Sequence, residues 1–151
     1  YSLLLLSAFG CADVQQCVTA KSMHVMTVDF DEGVSGGDSF AMLYMEELSE
    51  KLPPLFPKKV LTFANNSPRT DIILNTRVVE YKSPSELASK LTFGLAGSGY
   101  VEMAVQLYTK NGDLLDELYI MEDIPAGESA DIRSGIVEMI EQYLKDNCLK
   151  K

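Results

Sequence analysis

Two β-rich runs, YVEMAVQLYT and LLDELYIMEDI, meet across Lys110, Asn111, Gly112 and Asp113, and this pair constrains the fold more than any other stretch of the chain. Asn-Gly between such runs is a strong hairpin signal, because a tight reversal needs residues that tolerate positive φ. In the first run Val101, Met103, Val105 and Leu107 point one way, while Glu102, Ala104 and Gln106 point the other. One face is therefore core and the other wetter.

The remaining segments supply partners for that hairpin. SMHVMTVDF reads as a first strand, with His24, Met26, Val28 and Phe30 on its more apolar side. The glycine-containing loop DEGVSGGD follows, and Asp38 is placed to cap a helix through SFAMLYMEELSEKL. Ala41, Tyr44, Met45, Leu48 and Leu52 fall at helical spacing on one side, Glu46, Glu47 and Glu50 on another, and Pro53 and Pro54 end the run. KKVLTFA is a short strand, NNSPRT a turn, and TDIILNTRVVEY a longer strand. SPSELASKLTFG reads as either a short helical turn opened by Ser83 or a loop. A final helix from about Ala130 to Asn147 carries Ile132, Ile136, Ile140, Tyr143 and Leu144 as a stripe. The order predicts an α+β two-layer sandwich, a mainly antiparallel sheet of about five strands with two helices on one face.

The amino terminus addresses compartment rather than fold. YSLLLLSAFGC is apolar from Leu3 to Phe9 and then meets polar Asp13, Gln15 and Gln16, too soon for a membrane span of about 20 residues. Ala8, Phe9, Gly10 and Cys11 resemble a bacterial lipobox, in which the cysteine receives lipid; a plain signal peptide and a first core strand are the competing readings. The expected division is a truncated signal segment over 1–11, a tether over 12–21 and a single domain over 22–151. Acyl chains contribute about 0.8 kcal/mol per buried methylene, so a triply acylated Cys11 would anchor the chain durably. Ala12 after the cysteine resembles lipoproteins passed to the outer membrane of Gram-negative bacteria. Periplasmic exposure would let Cys17 and Cys148 pair; the alternative is that both stay free.

Charge narrows the partners. With 13 basic and 22 acidic residues the net charge is −9, which argues against nucleic acid, whose phosphates would repel it. Anionic headgroups would repel it too, so membrane attachment is expected through lipid alone.

Several pieces resemble the bacterial envelope family of unknown function numbered 4410: VDF at 28–30, TDIILNTRVVEY, FGLAGSG at 93–99 and YVEMAVQLYTKNGDLLDE. Together they cover most of the body, with Lys110, Asn111 and Gly112 standing where that family tends to have a Thr-Gly turn. More distantly the layout is similar to the N-terminal domain of TolB and to envelope assembly lipoproteins. The resemblance implies a secreted lipoprotein domain that works by protein contact, with an envelope protein as partner.

No catalytic set assembles in the sequence. Gly94, Gly97 and Gly99 lead into a strand rather than a helix, so they read as a backbone bend rather than a phosphate loop. Asp31, Glu32 and Asp38 crowd the first loop and offer either a partner-docking loop or oxygen ligands for a divalent ion, although the spacing matches no EF-hand. His24 is the single histidine and lies within a strand, where a structural role outweighs a triad. The expectation is a non-enzymatic interaction or assembly module without cofactor, with a small-ligand or ion-binding periplasmic domain as the alternative.

Overall fold

The computed structural model describes residues 15–63, 70–83, 98–124 and 129–149, the stretch 129–134 by its backbone alone. The leader with Cys11, the NNSPR turn, and the segment holding Gly94 and Gly97 lie outside the described residues. Chain order runs α1 (15–19), β1 (Ser22–Val25), β2 (Asp29–Phe30), α2 (Asp38–Leu55), β3 (Val60–Phe63), β4 (Ile72–Lys82), β5 (Gly99–Thr109), β6 (Leu114–Ile124) and α3 (Ser129–Cys148).

Among the described residues the sheet has six strands in the order β3-β1-β4-β5-β6, with β2 paired to β4 beyond the end of β1. It is an open, mixed α/β arrangement and not mainly antiparallel. β1 runs parallel to both β3 and β4, and β2 runs parallel to β4, whereas β4-β5 and β5-β6 are antiparallel. The cause is the crossover: α2 carries the chain back to the starting end, so β3 can only join β1 in the same direction. The expected single first strand is likewise two. Residues 26–28 step out of the ladder, and the Met26 amide donates to the Leu74 carbonyl at 2.9 Å while Asp31 donates to Val78 at 3.0 Å, which keeps both pieces on β4.

Three further expectations are corrected. Among the described residues there are three helices rather than two, because residues 15–19 of the expected tether are helical and Cys17 and Ala20 are buried in the core. Asp38 does not cap α2. Gly37 holds the cap position, where a Cβ would come within 2.7 Å of the Phe30 ring, and Asp38 is the first helical residue, its carboxylate complementing the helix dipole. Pro53 and Pro54 sit inside the last turn instead of ending the helix. The amide bonds they forgo would have reached the carbonyls of Ser49 and Glu50, both exposed residues that water can satisfy.

One face of the sheet is packed by α2 and α3. Phe40, Tyr44, Leu48 and Leu52 from α2, and Ile136, Val137, Ile140 and Leu144 from α3, meet Leu74, Val78, Met103, Val105 and Leu107. The Tyr44 hydroxyl, fully buried, shares a 2.8 Å hydrogen bond with Thr76, and Tyr143 donates to Asp116 at 2.9 Å, so both helices lie on the face that bears Thr76 and Asp116. At the far end Cys17 and Cys148 form a disulfide with Cα atoms 4.7 Å apart. Among the described residues no helix is long and apolar enough to cross a membrane.

Candidate interaction surface

The opposite face of the sheet is built from the alternate residues of β4, β5 and β6. Register places Arg77 beside Ala104, Asn75 beside Gln106, Tyr119 beside Ala104, and Met121 beside Glu102. Polar side chains of this face are hydrogen-bonded within and between the strands. Gln106 is the hub: its Oε1 accepts from Asn75 Nδ2 at 3.3 Å and from the Tyr108 hydroxyl at 3.0 Å, and its Nε2 donates to Glu117 Oε2 at 2.6 Å. The Tyr100 hydroxyl donates to Glu80 at 2.8 Å and the Tyr119 hydroxyl donates to Glu102 at 2.7 Å. Arg77 Nε meets Asp31 Oδ1 at 3.0 Å, which ties the first loop to this face.

Electrostatics follow from the pairing. The tyrosine hydroxyls of Tyr100 and Tyr119 hold the Glu102 carboxyl below the usual glutamate range, and Glu102 in return pushes both phenols upward. All three shifts move protons away from neutral pH. The result is a surface of hydrogen-bonded carboxylates and aromatic rings.

The residues singled out in sequence do not converge there. Asp31 is committed to Arg77, Glu32 is exposed, and Asp38 starts α2. Gly33 and Gly36 bend the intervening loop at φ 86° and 80°. Among the described residues no group of three or more His, Cys, Asp or Glu can hold a metal ion. Gly99 is the buried first residue of β5, opposite Ile124. His24 is fully buried, its Nδ1 2.7 Å from the Thr62 hydroxyl.

The disulfide end is a second organised region. Lys59 Nζ donates to the carbonyls of Cys17 and Val18 at 2.9 and 3.1 Å, and to that of Ala20, closing the carboxyl end of α1. Burial lowers the Lys59 ammonium, an effect that nearby Asp71 partly offsets. A cleft of about 630 Å³ opens beside it, lined by Val18, Phe56, Pro57, Lys58 and Leu149 among others. Sequence reasoning missed the tyrosines and Gln106 as a group. Their signal was present in the second face of the hairpin, where Glu102, Gln106, Glu117 and Tyr119 alternate with the core residues.

No family model matches the chain, and no curated protein matches it, so membership of the family numbered 4410 is not confirmed. Solved structures do share the fold. A point variant of PelC from Paraburkholderia phytofirmans, crystallised as a dodecamer, superposes with a TM-score of 0.56 at 13% identity, covering 87% of this chain and 88% of that one. A second PelC dodecamer gives 0.53 at 14% identity over 87% and 89%. The crystal structure of an uncharacterized protein gives 0.52 at 10% identity over 83% and 90%. At these identities the likeness is one of fold.

Proposed function

We propose that this chain is a non-enzymatic cell-envelope lipoprotein, held by lipid on Cys11 to the periplasmic side of the outer membrane of a Gram-negative bacterium, that acts as an interaction or assembly module for an envelope protein. The observation that carries the reading is the disulfide between Cys17 and Cys148, each 1% exposed. Such bonds form and persist in oxidising compartments, the envelope among them, and are rare in the bacterial cytosol. The apolar run ending at Cys11 stands only six residues ahead of Cys17. A lipid there would reach the body through a short segment fastened to α3, so the domain is presented close to its anchor.

The open sheet face supplies the contact area. Glu80 and Glu102 accept from tyrosine hydroxyls and Glu117 from Gln106, and the exposed Tyr119 and Met121 side chains sit where a partner can cover them. PelC, which has this fold, is a homo-oligomer in its crystals. That precedent supports a surface-contact role for the fold. A photo-crosslinking residue at position 121 in native envelopes is the test. One defined adduct in the envelope fraction is expected, and adducts with abundant porins alone would refute the reading.

A further inference from the structure

We infer that the two edges of the sheet bind each other between copies, β6 of one chain pairing in parallel with β3 of the next. This deepens the proposed module role by naming a second copy of this chain as the partner.

The first observation is where the apolar surface lies. Among the described residues, every large apolar strand residue left exposed is on an edge strand: Val60 on β3, and Leu114, Tyr119 and Met121 on β6. Val60 is 66% and Met121 60% exposed. Among the described residues β6 pairs with β5 alone, so it ends the sheet, and its eleven residues contain no proline or lysine. Its charges, which guard an edge against like copies, are all acidic.

The second observation is direction. β3 and β4 both run parallel to β1, β5 reverses, and β6 reverses again, so β6 points the same way as β3. A rotated copy can therefore extend the sheet by a parallel β6-β3 seam with all its helices on the same side. Faces also agree. Thr62 pairs with His24 and His24 with Ile73, which lies opposite Tyr108 on the open face, so Val60, two residues from Thr62, shares that face with Tyr119 and Met121. The seam gathers these three apolar side chains on one side and sets half-buried Leu118 beside half-buried Leu61 and Phe63 on the other.

Charge selects this pairing over a symmetric β6-β6 one. β6 carries Asp116, Glu117, Glu122 and Asp123 and no basic residue, so two β6 edges together would double that acidic set at close range. β3 has no acid and is preceded by exposed Lys58. A head-to-tail contact of this kind generates a ring if the rotation closes and a filament if it does not.

The test uses the chain from position 11 onward with Cys11→Ser, so that neither lipid, the Leu3–Phe9 run nor another envelope protein contributes, and reads mass by sedimentation. The parent chain should assemble beyond one chain in a concentration-dependent way. Val60→Glu and Met121→Glu each place a carboxylate at one edge, on residues exposed enough to leave the melting temperature unchanged, and each variant alone should sediment as a single chain. Mixed one to one, they should form a two-chain species and nothing larger, because only one seam is intact between them. A parent chain that stays single at every concentration, or a mixture that stays single, overturns the inference. A self-association failure here with a defined foreign adduct in envelopes would leave the module role standing.

Discussion

The two faces of one sheet differ sharply in what they bury. Under α2 and α3 the strands present Leu74, Val78, Met103, Val105 and Leu107, all 1% exposed or less, and a polar pair buried there, Tyr44 with Thr76, satisfies itself. On the reverse of the same strands lie Asn75, Arg77, Glu102, Gln106 and Tyr119, joined by hydrogen bonds but reaching solvent at Arg77 and Tyr119. Because strand side chains alternate, each residue of β5 lies on one face or the other and none on both. Stability and the proposed contact role are thereby separable by substitution.

That separation can be broken by four measurements. The largest effect belongs to the covered face: Leu48→Ala, at a fully buried position, should cost about 2–5 kcal/mol in urea unfolding, whereas Met121→Ala on the open face should change stability by about 0.5 kcal/mol or less. Equal losses at the two sites would dissolve the comparison. Removing the staple, with Cys17→Ser and Cys148→Ser together, should cost about 2–4 kcal/mol, since the bond closes a long loop in the unfolded chain. Melting in the presence and absence of reductant gives the same information on the parent chain.

A smaller loss is expected from Tyr44→Phe, which strands the buried Thr76 hydroxyl at a cost of about 1–3 kcal/mol by denaturant titration. The smallest effect is on the open face and depends on pH. The folded Glu102 carboxyl lies below its ordinary value, so its contribution is present above that ordinary value and is lost as the pH falls through the folded one. The melting temperatures of the parent and Glu102→Gln should therefore differ at neutral pH and converge in strong acid. A gap that widens on acidification would contradict the Tyr119 and Tyr100 pairing.

Local pattern made some of this legible in the sequence. The hairpin was readable down to its faces, because Val101, Met103, Val105 and Leu107 keep strict alternation up to the turn at Gly112, where φ is 89°. The last helix was readable to within one residue at either end, since Ile136, Ile140 and Leu144 hold a helical period to the end of the element. Parallel pairing was not readable: β1 and β3 have four residues each, too few for a period to declare a partner or a direction. Gly37 at the start of α2 was hidden for another reason, because it is the Phe30 ring that demands a glycine there. The open-face network was half legible. Alternation identified Glu102 and Gln106 as outward-facing, but which tyrosine meets which carboxylate depends on the β5-β6 register, with Tyr119 opposite Ala104 and one diagonal step from Glu102.

The central claim is that this domain works from a lipid anchor in an oxidising envelope. Intact-mass measurement of the protein extracted from its native membranes tests it most directly. The account predicts a chain beginning at Cys11, acylated there, with Cys17 and Cys148 joined. A chain that retains the Leu3 to Phe9 run and carries a free Cys11 thiol would contradict it.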